Sequence, residues 1–77
     1  MQTDREALSY DIERMKVDLA EKGWLQTDLA RVARVSDMTI TRFFRGEQQT
    51  ARTAKKLAEA LGYTVRRYLI RRESVSV

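Results

Sequence analysis

The sequence predicts one all-α domain over residues 1–77, a compact bundle of about five helices. The chain contains no proline and only three glycines, too few turn residues for a sandwich or a barrel. Apolar residues recur three and four positions apart, which is the period of an amphipathic helix. Each glycine falls at the end of a predicted helix, so the turn chemistry and the apolar pattern agree. A chain of 77 residues can bury one small core.

The first helix is predicted to begin at a capping box, Thr3 to Glu6, in which the threonine hydroxyl accepts a backbone N–H and the glutamate reaches back. Gly23 can adopt the left-handed conformation that ends a helix. Between these ends, one narrow apolar stripe contains Leu8, Ile12, Met15 and Leu19. We therefore expect this stripe to face the core.

Four more helices are predicted from the same signals, over residues 26–34, 37–45, 51–61 and 64–72. Ser36 and Thr50 are the predicted N-caps of the third and fourth helices, and Gly46 and Gly62 mark their ends. The fifth helix is expected to bury Val65, Tyr68 and Leu69. Residues 73–77 form a short alternating tail, which is expected either to fray or to add a strand to a partner.

The charge is distributed unevenly along the chain. Residues 1–30 hold four basic and seven acidic residues, a net charge of −3, whereas residues 31–77 hold eleven basic and four acidic residues, a net charge of +7. A basic half suggests nucleic acid as a partner, although a solvated basic surface gives the same count. The first ten residues contain no long apolar run, so we expect a cytoplasmic protein with neither a signal peptide nor a membrane span.

Cysteine and histidine are absent from the chain. Their absence excludes disulfides and zinc held by sulfur or imidazole, and we expect no metal and no cofactor. The remaining candidates for catalysis are carboxylates, and those of the first helix are Asp11, Glu13, Asp18 and Glu21. No nucleophile or metal cluster accompanies them, so we expect a solvated acidic face and not an enzyme.

The stretch from Val32 to Glu47 carries the functional signal, because three arginines surround two adjacent phenylalanines there. With Ser36 as N-cap, Asp37 lies in the first turn, where a carboxylate stabilises the helix dipole. At about 100° per residue, the predicted core face contains Ile40, Phe43 and Phe44. The opposite face contains Met38, Thr41, Arg42 and Arg45. Arginine binds guanine bidentately and threonine contacts a thymine methyl, so this face is suited to reading base edges. A solvated surface helix is the alternative.

Residues 26–46, QTDLARVARVSDMTITRFFRG, resemble the helix-turn-helix of the phage Cro and lambda-repressor family, also called XRE-like. The apolar positions of that motif match Leu29, Ala30, Ala33, Val35, Ile40 and Phe43. The family also favours glutamine at Gln26, serine at Ser36, and an aromatic followed two residues later by glycine, as in Phe44-Arg45-Gly46. The continuation, TARTAKKLAEALGY, is similar to the fourth helix of the family, so the resemblance covers roughly residues 25–63.

One position departs from the family pattern. The turn between the two helices usually contains glycine, and here it contains Arg34. A non-glycine residue in a left-handed turn costs about 1 kcal/mol. We expect the turn to be kept despite this strain, and Arg34 to extend toward a phosphate.

The resemblance implies that the helix at 26–34 crosses the DNA backbone and that the helix at 37–45 enters the major groove. Gln26 and Thr27 would bind phosphate at a helix N-terminus. The residues implied to approach bases or adjacent phosphates are Ser36, Met38, Thr39, Thr41 and Arg42. The residues implied to contact the backbone from the next loop are Arg45, Gln48, Gln49, Thr50 and Arg52. Asp37 would accept from a cytosine amino group or only cap its helix.

A domain of this kind is expected to regulate transcription by binding double-stranded DNA, most simply as a repressor associated with the nucleoid. Two related roles stay open: an antitoxin that binds a protein toxin and represses its own operon, and a restriction–modification controller. One helix reads few base pairs, so we expect a homodimer on two half-sites. The expected interface is the C-terminal surface, Tyr63 to Val77, with Ile70 exposed. Tyr10 and Val17 offer a second surface on the first helix.

Overall fold

Four α-helices and a two-stranded antiparallel sheet make up residues 8–71, the part of the chain that the computed structural model describes. In chain order the elements are β1 (Leu8–Tyr10), α1 (Ile12–Lys22), α2 (Gln26–Ala33), α3 (Asp37–Phe44), α4 (Ala51–Leu61), a 3-10 turn (Val65–Arg67) and β2 (Leu69–Arg71). The predicted helical class is therefore confirmed. The predicted number of helices is too high by one, and the small sheet was not predicted.

The ends of the helices follow the capping signals of the sequence. The Ser36 and Thr50 hydroxyls accept backbone N–H groups three residues ahead, at the starts of α3 and α4. Gly23 and Gly62 end α1 and α4 in the left-handed conformation, with φ of 71° and 93°. Both N-caps and both glycine ends were predicted, because capping depends on local chemistry that the sequence displays.

The start of the first helix was predicted wrongly. Leu8–Tyr10 is a strand, and α1 begins at Ile12, where the carboxylate of Asp11 accepts the Arg14 N–H at 3.0 Å. The backbone N–H of Asp11 donates to the Tyr68 carbonyl at 2.6 Å, which joins the start of α1 to the residue before β2. The predicted capping box at Thr3 to Glu6 lies outside the described residues.

The predicted fifth helix is also replaced. After the 3-10 turn, β2 pairs with β1 in the register Ser9 to Ile70 and Tyr10 to Leu69. This pairing satisfies backbone groups that a short helix would leave open, and the aliphatic and aromatic side chains suit a strand. Tyr68 is buried as predicted, but Leu69 is 37% exposed. The predicted tail, residues 73–77, lies outside the described residues.

The core lies between the helices and one face of the small sheet. Its fully buried large side chains are Tyr68, Phe43, Met15, Leu29, Ile40, Leu57 and Leu61. Small residues on α2 and α4, such as Ala30 and Ala58, let these two helices pack closely. Tyr10 is buried against Phe43, with ring centroids 5.6 Å apart. Its predicted place on an exposed face of the first helix is therefore wrong, because Tyr10 belongs to β1.

An ion pair between buried Asp18 and partly exposed Arg67 joins α1 to the C-terminal segment. The Asp18 carboxylate is 2% exposed and accepts two hydrogen bonds of 2.9 Å from the Arg67 guanidinium and one from the Tyr68 hydroxyl. The hydrogen bonds from Arg67 lower the pKa of Asp18 against the opposing effect of burial. Burial and the bond to Asp18 raise the pKa of Tyr68. The prediction that Asp18 belongs to a solvated face was thus wrong: α1 turns this carboxylate inward.

No helix among residues 8–71 is long and apolar enough to cross a membrane.

Candidate nucleic-acid interface

Helix α3 has a buried face and an exposed face, as its sequence predicted. Ile40 and Phe43 are completely buried, and Phe44 is partly buried against the core. On the opposite side Met38 is 62% exposed, and Arg42 is also exposed. The rotation of α3 about its axis is therefore confirmed. An exposed apolar side chain and an exposed cation therefore lie on the same outer face of α3.

The turn between α2 and α3 keeps its geometry without glycine. Arg34 adopts φ 62° and ψ 45°, in the left-handed region, and its N–H bonds the carbonyls at the end of α2. The Val35 N–H donates to the Ala30 carbonyl at 3.0 Å, which completes the end of the helix. The expected turn is confirmed, and it directs the start of α3 away from the core.

The first turn of α3 is fixed by its cap. The Ser36 Oγ accepts the Thr39 N–H at 3.0 Å and donates to the Thr39 Oγ1 at 2.8 Å. Asp37 is exposed beside this cap. Within the described residues, no Lys or Arg nitrogen lies within 4.0 Å of its carboxylate. Asp37 therefore presents an unpaired acceptor at the end of the helix that projects from the fold.

The start of α2 lies against the outer face of α3. The Gln26 Nε2 donates to the Thr41 Oγ1 at 3.4 Å, a contact between the two helices. Asp28 closes the first turn of α2, because its carboxylate accepts the Leu25 N–H at 2.8 Å. Thr27 is exposed next to this turn. The N-terminus of α2 and the exposed side of α3 consequently belong to one surface.

The loop from α3 to α4 contributes to the same surface. The Arg45 guanidinium lies 3.6 Å from the Glu47 carboxylate, and both side chains are largely exposed. Gln48 and Arg52 are exposed as well. The Thr50 hydroxyl accepts the Thr53 N–H at 3.2 Å and so caps α4. Arg45 and Glu47 of this loop line the same depression as the exposed residues of α3.

Gln49 differs from its neighbours in this loop. Its Oε1 accepts the Tyr10 N–H at 3.3 Å, and its Nε2 donates to the Phe43 carbonyl at 3.0 Å. The side chain therefore ties the loop to β1 and to the end of α3. The family resemblance implied a contact with DNA here, which stays a prediction; the structure adds these two internal hydrogen bonds. No signal in the sequence distinguishes Gln49 from Gln48.

A shallow depression on the exposed side of α3 collects the candidate residues. It is lined by Asp37, Met38, Thr41, Arg42, Arg45 and Glu47. Sequence reasoning found all of them except Glu47, whose proximity to Arg45 depends on how the chain turns at Gly46. The depression offers guanidinium donors, a carboxylate acceptor and an apolar thioether side by side. These are the groups that distinguish base pairs in the major groove.

Ion pairing separates the cations of this surface into two groups. Arg45 has a carboxylate partner, whereas Arg42 has none within 4.0 Å among residues 8–71. A guanidinium without an internal partner is free to form a bidentate contact with a base or a phosphate. Among the same residues, no group of three acidic side chains is placed to hold a metal ion.

Comparison with known proteins identifies the fold family. No curated protein and no solved structure matches the chain. A family model described as helix-turn-helix matches residues 15–67, more than half of the chain. The match includes α2, the turn at Arg34, α3 and α4, the elements that build the surface described above. The chain therefore belongs to the XRE family of helix-turn-helix proteins, which bind DNA.

Proposed function

We propose that this protein is a sequence-specific transcriptional repressor that inserts α3 into the major groove of double-stranded DNA. The observation that best supports this proposal is the exposed face of α3. Met38 and Arg42 project outward there while Ile40 and Phe43, on the other side of the same helix, are completely buried. A recognition helix needs one face that anchors it and one face that reads base edges.

Reading of bases is assigned first to Arg42. Its guanidinium is exposed and has no carboxylate partner among the described residues, so it is available for the two acceptors of guanine. Arg45 is held by Glu47 and suits a phosphate better. Met38 and Thr41 offer apolar contact to a thymine methyl, and Asp37 offers an acceptor for a cytosine amino group.

Positioning on the duplex is assigned to the two ends of the same surface. Gln26 and Thr27 place the N-terminus of α2 against one strand, because a helix N-terminus attracts phosphate. Gln48, Thr50 and Arg52 follow α3 in the chain and are assigned to phosphates at the other end of the surface. Contacts to phosphate set affinity and orientation, whereas contacts to base edges set sequence preference.

The first experiment selects binding sites from a pool of random-sequence duplexes and then titrates salt on the selected duplex. We expect one motif to be enriched. If both copies of a dimer contribute about 6–10 phosphate contacts in total, affinity falls by about 10³ or more between 50 and 200 mM salt. A selected site upstream of the protein's own gene would support repression in particular. Recovery of no motif, together with no binding to any duplex at low salt, would refute the proposal.

A further inference from the structure

Arg34 occupies a backbone position that is unfavourable for its side chain. It is the only non-glycine residue among residues 8–71 with a positive φ, 62°. The three glycines of the chain adopt the same kind of conformation, where they avoid the steric cost that a Cβ adds. A residue held in a strained conformation suggests that its side chain has a use that offsets the strain.

The side chain of Arg34 is exposed and shares a depression with Lys56 of α4. The depression is also lined by Val32, Ala33, Glu59 and Ala60. Glu59 lies 4.0 Å from Lys55 on the neighbouring side of α4. In the described part of the chain, neither Arg34 nor Lys56 has a carboxylate within 4.0 Å. Two exposed cations therefore share this depression, and the one carboxylate that lines it, Glu59, pairs with Lys55 instead.

Arg52 connects this pair of cations with the DNA-facing loop. It precedes Lys56 by four residues on the exposed side of α4, and it too lacks a carboxylate partner among residues 8–71. Like charges four residues apart destabilise a helix slightly. Arg34, Arg52 and Lys56 thus form a basic ridge, which runs from the turn before α3 along α4 to its N-terminal end.

We propose that this basic ridge binds backbone phosphates of the operator beyond the groove that α3 reads. The inference rests on the proposed function, because it extends the footprint of the same duplex. DNA suits the ridge because the proposed function already assigns Arg52, two residues after the Thr50 cap, to the phosphate backbone, and Lys56 follows Arg52 by one helical turn on the same side of α4. An acidic protein is the other partner with this charge. Val32, 50% exposed, is the one large apolar side chain in the depression, too little for a typical protein interface core.

The test measures the salt dependence of binding to a mixed-sequence duplex and to the selected site. The informative variants are Arg34→Gly, Lys56→Gln and their combination. Arg34→Lys keeps the charge, and Lys55→Gln removes one charge from the same helix away from the ridge. Each lost phosphate contact reduces the slope of log affinity against log salt by about 0.9. We expect a reduction with each ridge variant, roughly twice that with the double variant, and none with either control.

Thermal melting separates this role from a structural one. Arg34→Gly removes the left-handed strain, so we expect its Tm to rise by about 4 °C while its affinity for DNA falls. If the double variant has a higher Tm but the same slope of log affinity against log salt as the wild type, the proposal that the ridge binds phosphates is refuted. The same result would leave the proposed function intact if the wild-type protein still selected a motif. The proposal is also refuted if the double variant loses binding to an acidic protein while its binding to DNA stays unchanged.

Discussion

At the scale of single residues, the two members of the Asp18–Arg67 pair differ in their exposure to solvent. The Asp18 side chain is 2% exposed, whereas the Arg67 side chain is 32% exposed and lies 4.0 Å over the Tyr63 ring. Water can therefore solvate Arg67 if its partner is lost, but it cannot reach Asp18. Removing the carboxylate is consequently less costly than removing the cation, which would leave a buried charge with Tyr68 alone.

The first expectation concerns the stability of Asp18→Asn against pH. At neutral pH this change should cost about 2 kcal/mol, below the usual range for a buried pair because Arg67 stays partly solvated. The folded protein lowers the pKa of Asp18. The wild-type stabilisation is therefore present above the unfolded pKa of about 3.9 and is lost as pH falls below it. Thermal melts across acidic pH should show a steeper loss of stability in the wild type than in Asp18→Asn. Parallel curves would contradict this account.

Tyr68 makes the stability of the fold depend on pH in the alkaline range, as Asp18 does in the acidic range. Burial and the Asp18 carboxylate raise the pKa of its hydroxyl. Its contribution to stability is therefore complete below the unfolded pKa of about 10 and declines as pH rises above that value. Tyr68→Phe keeps the ring and removes the titration, so its stability should decline less in alkaline solution. An equal decline in both proteins would place the alkaline sensitivity at another residue.

Arg42 and Arg52 allow contacts that read base edges to be distinguished from contacts that position the protein on the duplex. Arg42→Ala should cost about 1–3 kcal/mol on the selected site and flatten the preference at one guanine position. Arg52→Ala should weaken all sequences by similar amounts. Both side chains are exposed, so thermal melts of both variants should match the wild type. A panel of single-base changes tests this, and an unchanged preference profile in Arg42→Ala would show that α3 is not reading DNA there.

At the scale of secondary-structure elements, what the sequence could predict depends on how local its causes are. The starts and ends of α2, α3 and α4 follow from caps and apolar spacing within a few residues, and the structure confirms them to within a residue. The burial of Ile40 and Phe43 follows from the same period. The family resemblance then locates the exposed face of α3 as the candidate interface.

The errors occur where long-range contacts override the local pattern. Leu8 lies in phase with the apolar stripe of α1, yet residues 8–10 pair with residues 69–71 to form the small sheet. In the sequence, nothing distinguishes Asp18 from the other acidic residues of α1. Its burial depends on Arg67, which is 49 positions away and donates a hydrogen bond to it. The bond from the Tyr10 N–H to Gln49, 39 positions distant, is another long-range contact that the local pattern does not display. The partners of each contact are farther apart in the sequence than the length of a helix, so a local pattern cannot reveal them.

Gln49 provides a test at the scale of elements, because it holds β1, α3 and the following loop together. Gln49→Ala leaves the Phe43 carbonyl and the Tyr10 N–H with one partner fewer, and it should cost about 1–2 kcal/mol. Gln48→Ala, at the exposed neighbour, is the matched control and should leave the Tm unchanged. Thermal melts and DNA titrations of the folded fraction compare the two. Weaker DNA binding by Gln49→Ala at an unchanged Tm would contradict the stabilising role and support a direct contact with the DNA backbone.

At the scale of the whole molecule, the length of α3 limits what one copy can recognise. Its eight residues span about 12 Å at 1.5 Å per residue, which is about four base pairs at 3.4 Å each. So short a site recurs too often in a genome to be specific. Two copies with their recognition helices about one helical turn apart overcome this limit. We therefore retain the homodimer as part of the proposed function.

The structure narrows where such a dimer can form. Tyr10 is buried and contributes no surface, whereas Val17 is 54% and Ile70 is 44% exposed. Ile70 lies opposite Ser9 in the small sheet. Because side chains alternate along a strand, Ile70 is on the face away from Tyr10 and the core. Val17 and Arg67 line one depression, and Arg67 lies over Tyr63, which is itself 41% exposed. The C-terminal surface thus reaches the exposed side of α1.

The last expectation is that Ile70→Lys disrupts the dimer while leaving the fold intact. Truncation before Tyr68 is unsuitable, because that side chain is completely buried and its neighbour Arg67 holds Asp18. A charge at Ile70 opposes a second copy at the sheet, whereas Val17→Lys, the matched control, places the same charge on α1. Sedimentation should show a dimeric wild type, a monomeric Ile70→Lys with an unchanged Tm, and loss of tight binding to a two-half-site duplex. A dimer that survives Ile70→Lys but not Val17→Lys would move the interface to α1. A wild-type chain that stays monomeric at high concentration and binds DNA one-to-one would refute the dimer.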